Sequence, residues 1–224
     1  MYNSTRKGSD VLISSLLYFL AHLQLYLIPV IETLGGWIYI AIFVLIFMET
    51  GLVVFAFLPG ESLVFFASTL AAVTGSSLDI KILIPVFFFA ALIGDTVNYE
   101  IGRNLHKLPF FKKLLSEDKL TKAQAYFDKH GGKTVMFGRF VPLIRTFIPL
   151  ISGSARMNYK RFCFYNLLGV LLWVFLGSSL GYFFGQFDFV QNNFSIILVT
   201  FGLISVVPGL IISCYRFMKK RTAV

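Results

Sequence analysis

The chain has 224 residues, of which 57% are hydrophobic and only 14% are charged. This composition excludes an ordinary soluble domain and is typical of a membrane protein. Twenty Lys and Arg against eleven Asp and Glu give a formal net charge of +9. In so hydrophobic a chain, the basic excess favours loops that face an anionic membrane surface over a nucleic-acid interface.

The cysteines and histidines do not follow the spacing of a disulfide framework or a metal motif. Cys163 and Cys214 both lie in apolar stretches, and the three histidines are scattered along the chain. Metal-binding histidines and cysteines usually occur as closely spaced pairs. We therefore expect neither a metal nor another cofactor.

Residues 1–34 predict an N-terminal amphipathic or marginally spanning helix. Arg6 and Lys7 precede an apolar run over 11–31, and this run ends without a convincing signal-peptide cleavage site. Polar residues dilute its hydrophobicity, so an interfacial helix and a membrane crossing both stay open at this point.

Residues 35–185 predict an all-α polytopic membrane core, and residues 186–224 a last transmembrane helix with a basic tail. Four apolar runs are long enough to cross a bilayer, which takes about 20 residues; they are 35–58, 82–101, 162–184 and 194–217. Two other segments, near 55–75 and 134–155, are shorter and interrupted by Pro and Gly, which is typical of re-entrant helical hairpins. The interrupting residues are Pro59, Gly60, Gly138, Pro142 and Pro149.

The basic residues predict the orientation of these segments. When each long run crosses once, 17 of the 20 Lys and Arg fall on one face, and eight of them lie between positions 103 and 133. That central stretch predicts amphipathic surface helices. By the positive-inside rule this face and the C-terminus are cytoplasmic. The two hairpins then enter from opposite faces and meet near the midplane.

Four ionisable side chains lie in apolar surroundings at the two hairpins: Glu49, Glu61, Arg139 and Arg145. Each would cost about 2.5–3.5 kcal/mol at the centre of a membrane helix, so we expect them to be paired, hydrated or bound to a ligand. Two guanidinium groups suit a phosphate, and desolvated carboxyl groups suit the uptake and release of protons. Purely structural ion pairs are the alternative.

A different pairing is expected at the end of the 82–101 run. Asp95 or Glu100 is predicted to pair with Arg103 at the membrane interface.

Three motifs follow one another along the chain: FLPGESL at 57–63, GDTVNYEIGR at 94–103 and FGRFVPLIRTFIP at 137–149. They are followed by Ser152, Gly153, Met157, Phe162, Asn166 and Trp173. In this order and spacing they resemble the bacterial DedA family, whose conserved region is also called the VTT or SNARE-associated domain. The resemblance covers about residues 35–184.

The resemblance implies an inner-membrane protein with two opposed re-entrant hairpins that moves lipids across the bilayer, with proton motive force implicated. Members of the family are assigned to undecaprenyl phosphate recycling and to translocation of phospholipids such as phosphatidylethanolamine. It further implies that Glu49 and Glu61 couple protons and that Arg139 and Arg145 bind the substrate. Supporting roles are expected for Asp95, Pro59, Gly60, Gly138, Pro142 and Pro149.

We therefore expect a lipid flippase without a catalytic step, with undecaprenyl phosphate as the leading substrate. The alternatives are a phosphatidylethanolamine or general phospholipid flippase or scramblase, and a proton-coupled ion antiporter or membrane-homeostasis factor. A lipid phosphatase is disfavoured, because such enzymes use histidines and none follows His130. The expected partners are anionic membrane lipids and a second copy of the chain.

Overall fold

A computed structural model describes residues 23–55, 60–72, 77–104, 131–141 and 144–193, together with positions 197 and 200. Predictions on residues 1–22, Pro59, Pro142, the central surface stretch 105–130 and most of the last apolar run lie outside these residues. The described parts are helical. The helices are α1 Leu23–Leu34, α2 Trp37–Gly51, α3 Gly60–Ala72, α4 Ile80–Asn104, α5 Lys133–Gly138, α6 Ile144–Ser154, α7 Tyr159–Gly185 and α8 Asp188–Asn192, with a 3₁₀ turn at Val53–Phe55.

Helices α4 and α7 are long and apolar enough to cross a membrane. Their 25 and 27 residues extend over about 38 and 40 Å at 1.5 Å per residue, more than the hydrocarbon core of about 30 Å. They contain the predicted crossings 82–101 and 162–184. The two helices are antiparallel: Tyr99 near the end of α4 stacks on Phe162 near the start of α7, and Phe87, earlier in α4, shares a buried cluster with Val170 and Val174.

Helix α2 lies along α4 and runs in the same direction. Tyr39 near its start accepts a hydrogen bond through its hydroxyl oxygen from the backbone N–H of Asp79, just before α4. Gly51 at its end packs on Gly94, and a Cβ at position 51 would lie 3.2 Å from the Gly94 Cα. The two glycines thus allow the backbones to approach closely.

Helix α3 lies along α7, again in the same direction, because Val64 faces Gly177 and Thr69 faces Gly185. Since α4 and α7 are antiparallel, α2 and α3 are antiparallel as well. Together they form the first hairpin, whose arms end and begin at Gly51 and Gly60.

The structure differs here from the predicted crossing over residues 35–58. The helix ends at Gly51, and Leu52 is extended, with φ −124° and ψ 107°. Its 15 residues reach only about 22 Å, which is less than the thickness of the hydrocarbon core. Because the sequence stays apolar through the turn, hydrophobicity alone does not reveal it.

Helices α5 and α6 form the second hairpin, residues 133–154. Helix α5 lies along α7 and runs in the same direction, with Gly169 packed on Met136. Helix α6 lies along α4 in the same way, with Gly102 packed on Leu150. The arms are therefore antiparallel, and this hairpin opens towards the end of the molecule opposite to the first. Helix α5 ends at Gly138 and α6 begins at Ile144, on either side of Pro142 in the sequence.

The inner ends of the two hairpins meet beside Asn98, in the last third of α4. The side-chain amide of Asn98 donates hydrogen bonds to the carbonyl of Thr50, at 3.0 Å, and to that of Thr146, at 2.6 Å. Each half of the core thus consists of a broken helix pair followed by a long helix. The sequence did not predict this structural repeat, because only its second half was interpreted as a hairpin followed by a crossing.

Candidate functional site at the meeting of the hairpins

Arg145, at the start of α6, brings the two acidic residues of the first hairpin together. Its Nη2 donates to Glu49, in the last turn of α2, and its Nε lies 3.5 Å from Glu61, in the first turn of α3. Glu49 is 3% exposed, whereas 41% of the Glu61 side chain is exposed. The predicted convergence of Glu49, Glu61 and Arg145 is therefore present in the structure.

Arg139, at the end of α5, forms a second buried ion pair, with Asp95 of α4. Its Nη1 also lies 3.5 Å from Oδ1 of Asn166 on α7. Asp95 is 2% exposed and Arg139 is 6% exposed. The prediction that Asp95 pairs with Arg103 is thus wrong.

The alternative partner for Arg103 is correct: its Nη1 lies 3.6 Å from Glu100, at the exposed end of α4. The difference has a simple helical cause. Asp95 is eight residues, or just over two turns, before Arg103, and the close packing of α4 with the second hairpin buries it beside Arg139.

Trp173 of α7 lies beside both arginines. The guanidinium carbon of Arg139 is 5.1 Å from the centroid of the indole ring, and that of Arg145 is 5.3 Å from it. Trp173 is itself buried. Cation–π attraction to this one ring therefore helps to position both positive groups.

Gly60 gives the first hairpin room for its buried acid. A Cβ at position 60 would collide with the Glu49 carboxylate, so the start of α3 approaches the end of α2 only without a side chain there. The break in the helix places Glu49 and Glu61 on two antiparallel arms, and both then face Arg145. This is the arrangement that the Pro and Gly residues at the break predicted.

The other predicted supporting residues lie in the second hairpin or outside the described residues. Gly138 packs against Ile148, and Pro149 is buried inside α6. Pro59 and Pro142 are not among the described residues. Gly138 and Pro149 thus serve the packing of the second hairpin rather than the charge cluster itself.

Three further polar or aromatic residues of the site were not singled out by the reasoning on charges. They are Asn98, Asn166 and Trp173, and all three are buried. Asp95 and Asn98 are three residues apart and share one face of α4, so a polar face on an otherwise apolar helix was the available signal. For Asn166 and Trp173 the only signal was their place in the family pattern.

Each arginine has a buried nitrogen that these contacts do not use. Nε of Arg139 and Nη1 of Arg145 are buried, and neither has a hydrogen-bond acceptor among the described residues. A buried donor without an acceptor is unfavourable and suggests a group that the site can still bind. Within the same residues, no cluster of three or more His, Cys, Asp or Glu side chains could hold a metal ion.

The chemistry of the site follows from this arrangement. Two guanidinium groups with unused donors can bind the oxygens of a phosphate, and three carboxyl groups within reach of them can exchange protons.

The chain is similar to known proteins over most of its length. The profile of the VTT domain matches residues 58–183. The chain is 40% identical to "Protein DedA" of Escherichia coli K12 over 203 residues, which are 89% of this chain and 93% of that protein. "Inner membrane protein YqjA" of the same strain is 36% identical over 154 residues, 67% of this chain and 69% of that protein.

A third relative is an uncharacterized membrane protein of Mycobacterium tuberculosis H37Rv. It is 34% identical over 185 residues, which are 81% of each chain. No solved structure matches the chain. Two of these three relatives are named as membrane proteins, in agreement with the two long apolar helices α4 and α7.

Proposed function

This chain belongs to the DedA family of VTT-domain membrane proteins, and from that premise we propose that it carries an anionic phospholipid across the bacterial cytoplasmic membrane. The leading substrate is undecaprenyl phosphate. Arg139 and Arg145 bind the phosphate, while the carboxyl groups beside them take up and release protons and so couple transport to the proton motive force.

The observation that carries this proposal is the pair of buried arginines where the two hairpins meet. A buried arginine that served only as a structural counter-ion would be expected to have its donors satisfied. Here a donor on each guanidinium lacks an acceptor among the described residues, and a phosphate offers several oxygens to such donors. Interrupted helices that meet at mid-membrane are also the usual setting of a transporter site.

The membrane placement belongs to the same proposal. Helices α2 and α3, and likewise α5 and α6, are each too short to span the hydrocarbon core. As re-entrant hairpins they would enter from opposite faces, with the basic end of α4 and the C-terminus in the cytoplasm. The charged residues of both turns then lie away from lipid, between α4 and α7.

Transport by arginine variants tests the proposal. Proteoliposomes are loaded with a fluorescent polyprenyl phosphate, and its movement between leaflets is followed by an impermeant quencher. We expect Arg139→Lys and Arg145→Lys to lower the rate at least about tenfold, because an ammonium group keeps the charge but loses the fork of donors. Arg103→Lys, at the exposed end of α4, is the matched control and should transport normally.

Wild-type rates in both lysine variants would contradict the proposal. A second series with fluorescent phosphatidylethanolamine separates the alternatives within the lipid class. Equal rates for both lipids, without a proton gradient, would instead indicate a general scramblase.

The pairing of each arginine with a carboxylate favours a second candidate, a proton-coupled antiporter. In that case Glu49 and Asp95 would carry protons and the arginines would only offset their charge. The antiporter would be supported by proton flux into vesicles without added polyprenyl phosphate. This flux would be driven by a cation gradient and retained in both arginine variants. Flux that depends on added polyprenyl phosphate would exclude it.

A further inference from the structure

Asp95 is one of the two fully buried acids of the charge cluster. It is 2% exposed and pairs with Arg139. Glu49 has the same relation to Arg145 and is 3% exposed. Glu61, by contrast, lies at the edge of the cluster with 41% of its side chain exposed. Each arginine therefore has one dedicated, fully buried carboxylate.

The charges of the cluster limit what it can bind. The helices that pack around it contribute Glu49 from α2, Glu61 from α3, Asp95 from α4, and Arg139 and Arg145 from the second hairpin. Helix α7 contributes only neutral groups, Asn166 and Trp173. With every group ionised there are three negative charges and two positive ones. A phosphate added to this set would increase the negative excess.

A phosphate that bound the arginines would also displace their carboxylates. A displaced carboxylate would be left as a buried charge without its partner, which is among the most unfavourable arrangements in a protein. A proton on the displaced group removes that charge. Phosphate binding and protonation of the displaced carboxyl groups are therefore coupled by the geometry.

We propose that Glu49 and Asp95 compete with the substrate for the two arginines. A phosphate binds to both guanidinium groups only when both carboxyl groups take up a proton. The inference rests on the proposed function and specifies its regulation. Two protons enter, the charge of the cluster changes from −1 to +1, and the phosphate then binds to a positive site. Release of both protons returns the arginines to their carboxylates and expels the phosphate.

The hydrogen bonds of the cluster fit such an exchange. Asp95 accepts a hydrogen bond from Nη1 of Arg139, and Glu49 accepts one from Nη2 of Arg145. The remaining buried donors, Nε of Arg139 and Nη1 of Arg145, have no acceptor among the described residues. A phosphate has more oxygens than a carboxylate and can also engage these donors. The two carboxylates thus pair with only some of the guanidinium donors.

Proton counting by calorimetry tests this inference. Protein in phosphatidylcholine nanodiscs is titrated with farnesyl phosphate at pH 8, in two buffers of different ionisation enthalpy. At this pH the monoester is doubly charged, since its second pKa is about 6. The difference in apparent enthalpy between the buffers gives the number of protons taken up per phosphate.

We expect wild type to take up about two protons per phosphate bound, and Asp95→Asn and Glu49→Gln to take up about one each. Both variants should also bind at least about tenfold more tightly at pH 8, because one protonation step is no longer required. Glu100→Gln is the matched control. It removes a carboxylate from the exposed end of the same helix α4 and should behave as wild type.

The outcomes separate the exchange from the proposed function. Binding that is lost in Arg139→Gln and Arg145→Gln but occurs without proton uptake in wild type would overturn the exchange and leave the function intact. Absence of farnesyl phosphate binding in every form at pH 6 and pH 8 would overturn both. If Asp95→Asn does not fold, the wild-type count and the Glu49→Gln count still decide.

A titration with inorganic phosphate identifies the source of the ligand. We expect it to bind far more weakly than farnesyl phosphate. Equal affinity with the same proton count would retain the exchange but assign it to a soluble anion, which contradicts the proposed lipid transport.

Discussion

At the scale of single residues, the site depends on two buried arginines and on the groups that surround each of them. Each has a carboxylate on one side and the face of Trp173 nearby. A buried ion pair adds little to stability by itself, but loss of one partner costs about 3–5 kcal/mol because the other charge remains buried. Substitutions that keep the pairs and change their surroundings are therefore the most informative.

Trp173 offers such a substitution. Trp173→Leu removes the aromatic face from both guanidinium groups, and each cation–π contact is worth about 0.5–2 kcal/mol. We expect binding of farnesyl phosphate to weaken about tenfold, since the arginines lose their common position, whereas Trp173→Phe should retain part of the affinity. Trp37→Leu, at an exposed position of α2, is the control. Equal affinities for Trp173→Leu and wild type in calorimetric titration would disprove this role.

Gly60 tests the fit between the arms of the first hairpin. We expect Gly60→Ala to displace the Glu49 carboxylate from Arg145, because its Cβ would occupy the same space. Transport should fall, and the melting temperature should fall with it. Gly36→Ala is the matched control, since Gly36 has φ −64° and nothing within 4 Å of an added Cβ. A Gly60→Ala protein with normal transport and stability would show that this close approach is dispensable.

At the scale of helices, the sequence predicted the segments better than their connections. The runs 82–101 and 162–184 are the centres of α4 and α7, because about 20 consecutive apolar residues are a strong signal. The end of α2 at Gly51 was not predicted, because Leu52, Val53 and Val54 are as apolar as the helix before them. At this end Gly51 packs on Gly94, a tertiary contact that no local pattern encodes.

The same limit applies to the site. Glu49, Glu61, Arg139 and Arg145 were recognisable because a charge in an apolar segment is costly and needs a reason. The partner of Arg139 was not recognisable from the sequence. Asp95 lies close to Glu100 and Arg103 in sequence, so it was interpreted as part of the polar end of α4. Tertiary packing of the second hairpin on α4, which no local pattern encodes, places it in the cluster.

Asn98 links the turns of both hairpins to α4 and can be tested at this scale. Asn98→Ala removes the hydrogen bonds to the carbonyls of Thr50 and Thr146 and leaves both buried. We expect a loss of about 1–3 kcal/mol in the free energy of unfolding, the usual cost of an unsatisfied buried group. Thermal unfolding in detergent measures it. The control is Asn104→Ala, which removes an exposed bond to the Glu100 carbonyl; an equal effect of both changes would refute the link.

At the scale of the whole molecule, the charges are distributed between two ends. Basic residues gather where α4 ends and α5 and α7 begin, at Arg103, Lys133, Lys160 and Arg161, whereas the opposite end has Lys81 beside Asp79. The first hairpin opens towards the end with few basic residues and the second towards the basic end. In the proposed membrane placement, the positive-inside rule would put the basic end in the cytoplasm.

The opposed entry of the two hairpins is the central claim, because it alone brings the arginines of one and the acids of the other together away from both aqueous phases. The most direct measurement is the accessibility of single cysteines, with Cys163 and Cys214 replaced by Ala. We predict that Ser77→Cys, at the open end of the first hairpin, reacts with an impermeant maleimide from the periplasmic side. Lys133→Cys, at the open end of the second, should react only from the cytoplasmic side. Reaction of both positions from the same side would contradict the account.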